Sequence, residues 1–151
     1  MKKGRWVLVT VVGAFVAMVF GPQGPAGGFW GATPGEEMGI TGGLAGAFMA
    51  YGLIEAVVFG FGLAWLAFGA KALRDSGRPG ATAVYLAVGW GLVSWWPHGG
   101  LHQGIGEGNP AALVGIEFGF HVTMFLAVAV IASYVWRTVK SSEREAVAAT
   151  S

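Results

Sequence analysis

The sequence predicts an all-α integral membrane protein with four transmembrane helices, N and C termini cytoplasmic, and a third helix interrupted or kinked near its outer end. Three observations carry that expectation. Of 151 residues, 54% are hydrophobic and only 11% charged, whereas soluble domains usually carry about 25% charged residues. Four apolar stretches account for nearly the whole chain: Trp6 to Phe20, Gly39 to Ala70 broken only by Glu55, Pro79 to Pro97, and Pro110 to Trp136 broken by Glu117 and His121. Each approaches the roughly 20 residues that an α-helix needs to cross about 30 Å of hydrocarbon. Finally, every basic residue falls at one end of these stretches: Lys2, Lys3 and Arg5, then Lys71, Arg74 and Arg78, then Arg137, Lys140 and Arg144. The opposite loops carry only Glu36, Glu37 and Glu107. Basic residues concentrate on the cytoplasmic side of membrane proteins, so the basic face is expected there, as part of a cell-membrane, multi-pass topology.

Span one is expected over about residues 5–21, with Trp6 as an interfacial anchor. Its basic start and apolar body also fit a signal peptide, with Gly24-Pro-Ala-Gly-Gly28 as the small-residue region. We read it as a span within a single four-helix transmembrane domain covering 1–151. An outer loop follows at 21–38, rich in glycine and proline. Thr33-Pro34 with Glu36 and Glu37 has the chemistry of a helix start: a hydroxyl cap, a first-turn proline and acidic groups near free amides. Span two descends to about Ala70, and a cytoplasmic turn at 71–78 makes it the antiparallel neighbour of span three.

Span three begins near Pro79 and holds the string Trp95-Trp96-Pro97-His98-Gly99-Gly100-Leu101-His102. Pro97 removes a donor from the helical ladder and Gly99-Gly100 weakens the next turn, which predicts the interruption. An outer loop at 104–110 leads to span four, expected from Ala111 to Trp136, and 141–151 is a polar cytoplasmic tail. Gly42/Gly46 and Gly115/Gly119 are spaced for close helix contact near the outer side, with ordinary packing the simpler reading and a dimer face the sharper one. Trp65, Trp95, Trp96 and Trp136, like Trp6, read as interfacial anchors.

Ionisable groups are costly inside lipid and therefore mark where protein partners, water or an ion are needed. Glu117 and His121 are four residues apart and share a helix face, with Met124 a turn further on. His98 and His102 have the same spacing and share a face if the backbone after Pro97 is helical. Counting depth along the helices puts His102 outermost, His98 level with Glu117, His121 deeper and Glu55 nearest the midplane. All three histidines and both intramembrane carboxylates thus lie away from the basic face.

Neutral imidazoles and carboxylates suit copper, iron or zinc, and a chain without cysteine has neither thiolate ligands nor thioether haem attachment. The expected function is membrane metal binding with a redox role. His98, His102, Glu117 and His121 are the expected metal ligands; Glu55 and Glu117 are the candidate catalytic groups, with Glu55 tuning or proton-coupling the site. One alternative is a haem-binding electron-transfer subunit, with His121 opposite His98 or His102 and a quinone as redox partner. Others are a proton-coupled transporter using the His/Glu ladder, and a non-catalytic accessory or scaffold subunit whose polar residues only specify packing. The expected surroundings are the lipid bilayer and either a homo-oligomer or a larger membrane complex. Nucleic acid is not an expected partner, because the basic residues are few and sit at span ends.

Overall fold

The computed structural model describes residues 3–22, 24–30, 43–74, 76–105 and 109–150. The expectations placed on Thr33-Pro34, Glu36, Glu37, Gly42 and Glu107 lie outside these residues. The described residues are helical and contain no strand: α1 Lys3–Phe20, a 3-10 turn Gly27–Trp30, α2 Gly43–Phe68, α3 Ala70–Arg74, α4 Ala81–Val93, α5 Trp95–Ile105, α6 Pro110–Ile116, a π-helical turn Glu117–Val122, and α7 Thr123–Thr150. Among the described residues, three segments are long and apolar enough to cross a membrane: Lys3–Phe20, Met49–Phe68 and Pro110–Glu145.

Large apolar side chains cover the outside, as a lipid-facing surface requires. Phe15, Met49, Ile54, Phe125 and Leu126 are exposed, whereas the buried apolar core is mostly small: Ala17, Ala56, Ala64, Ala81, Ala87 and Ala127 with Val84 and Ile116. Small residues let helix backbones approach where lipid offers no hydrophobic drive for helices to associate.

The tightest crossing is between α1 and α2. A Cβ added at Gly60 would lie 2.2 Å from the Thr10 carbonyl oxygen, and one at Gly13 would lie 2.8 Å from the Gly60 Cα. The expected close approach through Gly46, Gly115 and Gly119 is not made among the described residues, where an added Cβ at each meets nothing within 4 Å. Their spacing satisfies the small-residue rule, but no described helix of this chain packs over them.

Near the basic end, Trp6 packs on Phe61, Trp65 and Phe68 with ring centroids 5.5, 6.4 and 6.1 Å apart. The Trp65 indole donates to the Tyr85 carbonyl at 3.0 Å, and the Tyr85 hydroxyl donates to the Leu66 carbonyl, joining α2 to α4. The Trp96 indole donates to the Ala17 carbonyl at 3.0 Å and its ring lies 4.8 Å from that of Phe59. Trp6, Trp65 and Trp96 therefore do more than anchor at an interface: they bind the helices to one another. Trp95 and Trp136 keep exposed rings.

The third segment is two helices, α4 and α5, of 13 and 11 residues with Ser94 between them. Pro97 causes the break at a distance. It cannot donate to the carbonyl four residues earlier, that of Val93, and its ring crowds that carbonyl. The Ser94 amide still bonds to the Trp90 carbonyl at 3.0 Å and the His98 amide to the Ser94 carbonyl at 3.1 Å, so the direction bends without the chain unwinding. The helix also begins later than Pro79: Gly77 and Gly80 adopt left-handed backbone, φ +60° and +87°, which delays α4 to Ala81. At the other end of the chain, the polar segment 141–150 continues α7 as helix.

Candidate metal centre

Two local structures place the polar residues. On the first, helical backbone resumes after Pro97, so His98 and His102 stand one turn apart on α5 with ring centroids 4.5 Å apart. On the second, Asn109 caps α6 by accepting the Ala112 amide at 3.1 Å, with Pro110 at the first helical position where its missing donor costs nothing. Glu117 and His121 then fall in the wide turn Glu117–Val122. Such single π-turns leave part of the helical ladder unmatched and recur at functional sites.

The Thr123 hydroxyl reaches the carbonyls of both Gly119 and Phe120, the second at 3.0 Å, and accepts the Trp90 indole N–H at 3.0 Å. Trp90 also stacks on Phe120, 5.8 Å between centroids and 15° between planes. Together these contacts fasten the wide turn to α4.

At the centre, the Glu117 carboxylate takes one oxygen to the His121 Nδ1 and the other to the His102 Nε2, the latter at 3.2 Å. His102 Nε2 is also 2.9 Å from His98 Nε2, and the His98 ring lies 4.7 Å from that of His121 and 5.3 Å from that of Phe120. An ionised carboxylate only accepts, so in these contacts His121 Nδ1 and His102 Nε2 carry the protons. That tautomer leaves the His121 Nε2 lone pair free and turned by a carboxylate, the arrangement that orients metal-binding imidazoles.

One ligand atom from each of His98, Glu117 and His121 can be chosen so that all three lie within 4.8 Å of one another. A metal holds such ligands at about 2.0–2.2 Å, so two of them can be no more than about 4.4 Å apart. Binding therefore needs a small contraction and no refolding. The cluster can coordinate a metal ion, with nitrogen and oxygen donors only. His102 touches His98 and Glu117 but stands outside the mutual set. Glu55 also stands outside it. Its carboxylate faces α5 at Gly99, where an added Cβ would lie 3.3 Å from both oxygens, and Tyr51 is its hydrogen-bonding neighbour one turn away on α2.

The centre is open on one side: the side chains of His102, Glu117 and His121 are 31%, 41% and 42% exposed. Ser94 is the reverse, with its hydroxyl wholly buried and without a hydrogen-bond partner among the described residues. No family model, curated protein or solved structure matches this chain. Its functional reading therefore rests on the side chains themselves.

Trp90, Thr123 and Phe120 hold the site, a role that sequence reasoning does not assign to them. One signal was present: Trp90, Ser94, His98 and His102 recur every four residues, which is one face of a helix. The partner residue Thr123 carried no comparable sign.

Proposed function

We propose that this chain is an integral membrane metalloprotein with a redox role, crossing the bilayer four times with both termini in the cytoplasm. The metal is held in the outer half by His98, Glu117 and His121, with His102 adjacent and Glu55 modulating the site from α2. The observation that carries this reading is the meeting of two imidazoles and a carboxylate, from α5 and the π-turn, within 4.8 Å. Gathering ionisable groups in a membrane is costly even where they bond to one another, and a bound ion offsets part of that cost.

Among metals that accept imidazole and carboxylate, zinc has no redox chemistry, so the redox role selects copper or iron. The open side of the cluster gives a one-electron partner access, and a lipid-soluble quinone fits the location. A haem bound between His98 and His121 is less well supported, because rings 4.7 Å apart must separate before a macrocycle can enter.

The test is metal content per chain, with an absorption spectrum before and after reduction, on untagged protein purified in mild detergent without chelator. About one copper or iron per chain, changing spectrum on reduction, is the expected result. A Soret band would replace the His/Glu centre with haem. Zinc alone would remove the redox role, and repeated metal-free preparations would leave the accessory-subunit reading in the lead. Flux of substrate that depends on Glu55 would instead identify a transporter.

A further inference from the structure

At the basic end of α7, far from the His/Glu centre, three cations share one face of the helix. Arg137, Lys140 and Arg144 follow the spacing i, i+3, i+7, which brings them within about a third of a turn of one another. With Trp136, Ser141 and Glu145 they line an open depression of about 440 Å³. All three are exposed, and none makes an ion pair among the described residues. Glu145 is the only carboxylate of the six, leaving an excess of positive charge. The neighbouring hydroxyls of Ser141 and Ser142 are turned back onto the Thr138 carbonyl, at 2.8 and 3.1 Å, and do not neutralise it.

The position of these groups relative to the bilayer names their partner. Trp136 is 70% exposed at the end of the apolar run, where indole rings mark the membrane surface. The headgroup layer adds about 5–7 Å on each side of the hydrocarbon. At about 1.5 Å per residue, Arg137 and Lys140 lie within that layer, and Arg144, about 12 Å beyond Trp136, can reach back toward it along its stem. Because α7 continues as a helix to Thr150, the three heads stay on one face instead of dispersing in a flexible tail.

We propose that Arg137, Lys140 and Arg144 form a binding site for the phosphate of an anionic phospholipid in the leaflet at the basic end. The site depends on the chain spanning a membrane and not on any metal, so it stands apart from the redox reading.

The experiment is native mass spectrometry of the full-length protein released from micelles with equal phosphatidylglycerol and phosphatidylcholine. A cation near an anionic surface favours association by about five-fold. Wild-type protein is expected to retain phosphatidylglycerol about ten-fold or more over phosphatidylcholine. Combining Arg137→Gln, Lys140→Gln and Arg144→Gln brings the ratio near unity, while removing as much charge with Lys3→Gln, Arg5→Gln and Arg78→Gln leaves it high. Equal loss in both triple variants would reduce the effect to diffuse charge and overturn the site, as would no preference in the wild type. Displacement of the lipid by millimolar inorganic phosphate would overturn the choice of a lipid. If the triple variant does not fold, Lys140→Gln alone is expected to lower the ratio about five-fold, and an unchanged ratio refutes the proposal.

Discussion

Replacing Glu117 by glutamine keeps the shape of the side chain and removes its charge, so it isolates what the carboxylate does. In the structure one oxygen of Glu117 accepts from His102 at 3.2 Å and the other from His121. An amide offers one acceptor oxygen and one donor group, so one of the two imidazoles loses its partner or must change tautomer. The contacts are charge-assisted, each worth about 1.5–3 kcal/mol when shielded, but the Glu117 side chain is 41% exposed and water restores part of that. Losing an orienting carboxylate typically lowers metal affinity about 10–100-fold, equivalent to about 1.4–2.7 kcal/mol. The assay is competition between the protein in detergent and a coloured chelator for copper(II). His121→Ala and the double variant complete a cycle, and because the residues touch, their effects should fall short of additivity by about 0.5 kcal/mol or more. Wild-type affinity in Glu117→Gln, or strict additivity with His121→Ala, would refute the claim that this carboxylate builds the centre.

The position of His102 outside the mutual set predicts that His102→Ala weakens copper binding less than His98→Ala, a difference read in the same competition assay. Thr123→Val removes the acceptor of the Trp90 indole and the clamp on the Gly119 and Phe120 carbonyls, and should lower stability by about 1–3 kcal/mol. Thr123→Ser should recover most of that in denaturant titration followed by tryptophan fluorescence. Gly60→Ala sets a methyl 2.2 Å from a backbone oxygen, where about 1 Å of helix separation is needed, and should cost about 1–3 kcal/mol. Gly115→Ala, into open space, should be neutral or slightly stabilising in thermal unfolding, since alanine is the better helix former.

Much of this architecture was legible because the lipid constraint is written in composition. Apolar stretches, the one-sided placement of lysine and arginine, and Pro97 after two tryptophans suffice to place four helical segments and an interruption in the third. The exact point of the break was less accessible. Proline acts on the carbonyl four residues behind it, so the bend appears at Ser94 and not at Pro97 itself. Gly13 and Gly60 were hidden for a different reason: each is one glycine among 27, and only the crossing of α1 and α2 selects them.

For the candidate centre, helical periodicity brings out the pairs His98/His102 and Glu117/His121, and depth counting sets His98 level with Glu117, with His102 outside and His121 inside that level. Which ligands converge depends on the rotation of each helix about its axis, and periodicity leaves that rotation open. Depth counting sets Glu55 nearest the midplane, beyond His121, whereas its carboxylate meets α5 at Gly99, one residue round the helix from His98. The π-turn had no signature in periodicity, and the contacts that fasten it, from Trp90 to Thr123 and Phe120, are long-range.

That wide turn also has a consequence for how the chain tolerates insertions and deletions. An extra residue in one turn advances everything beyond it by roughly 100° about the helix axis. Buried Ala127, and Tyr134, whose ring comes within 3.8 Å of a Cβ placed at Gly80, lie beyond the turn and take the orientation that this advance gives α7. A chain one residue shorter between Glu117 and Thr123 could close the turn into ordinary α-helix while α7 kept its present phase. The acid and the histidine would then be three residues apart, still neighbours but set at a new angle. In this segment, length variation would be borne by the geometry of the centre while the surrounding helices stayed packed.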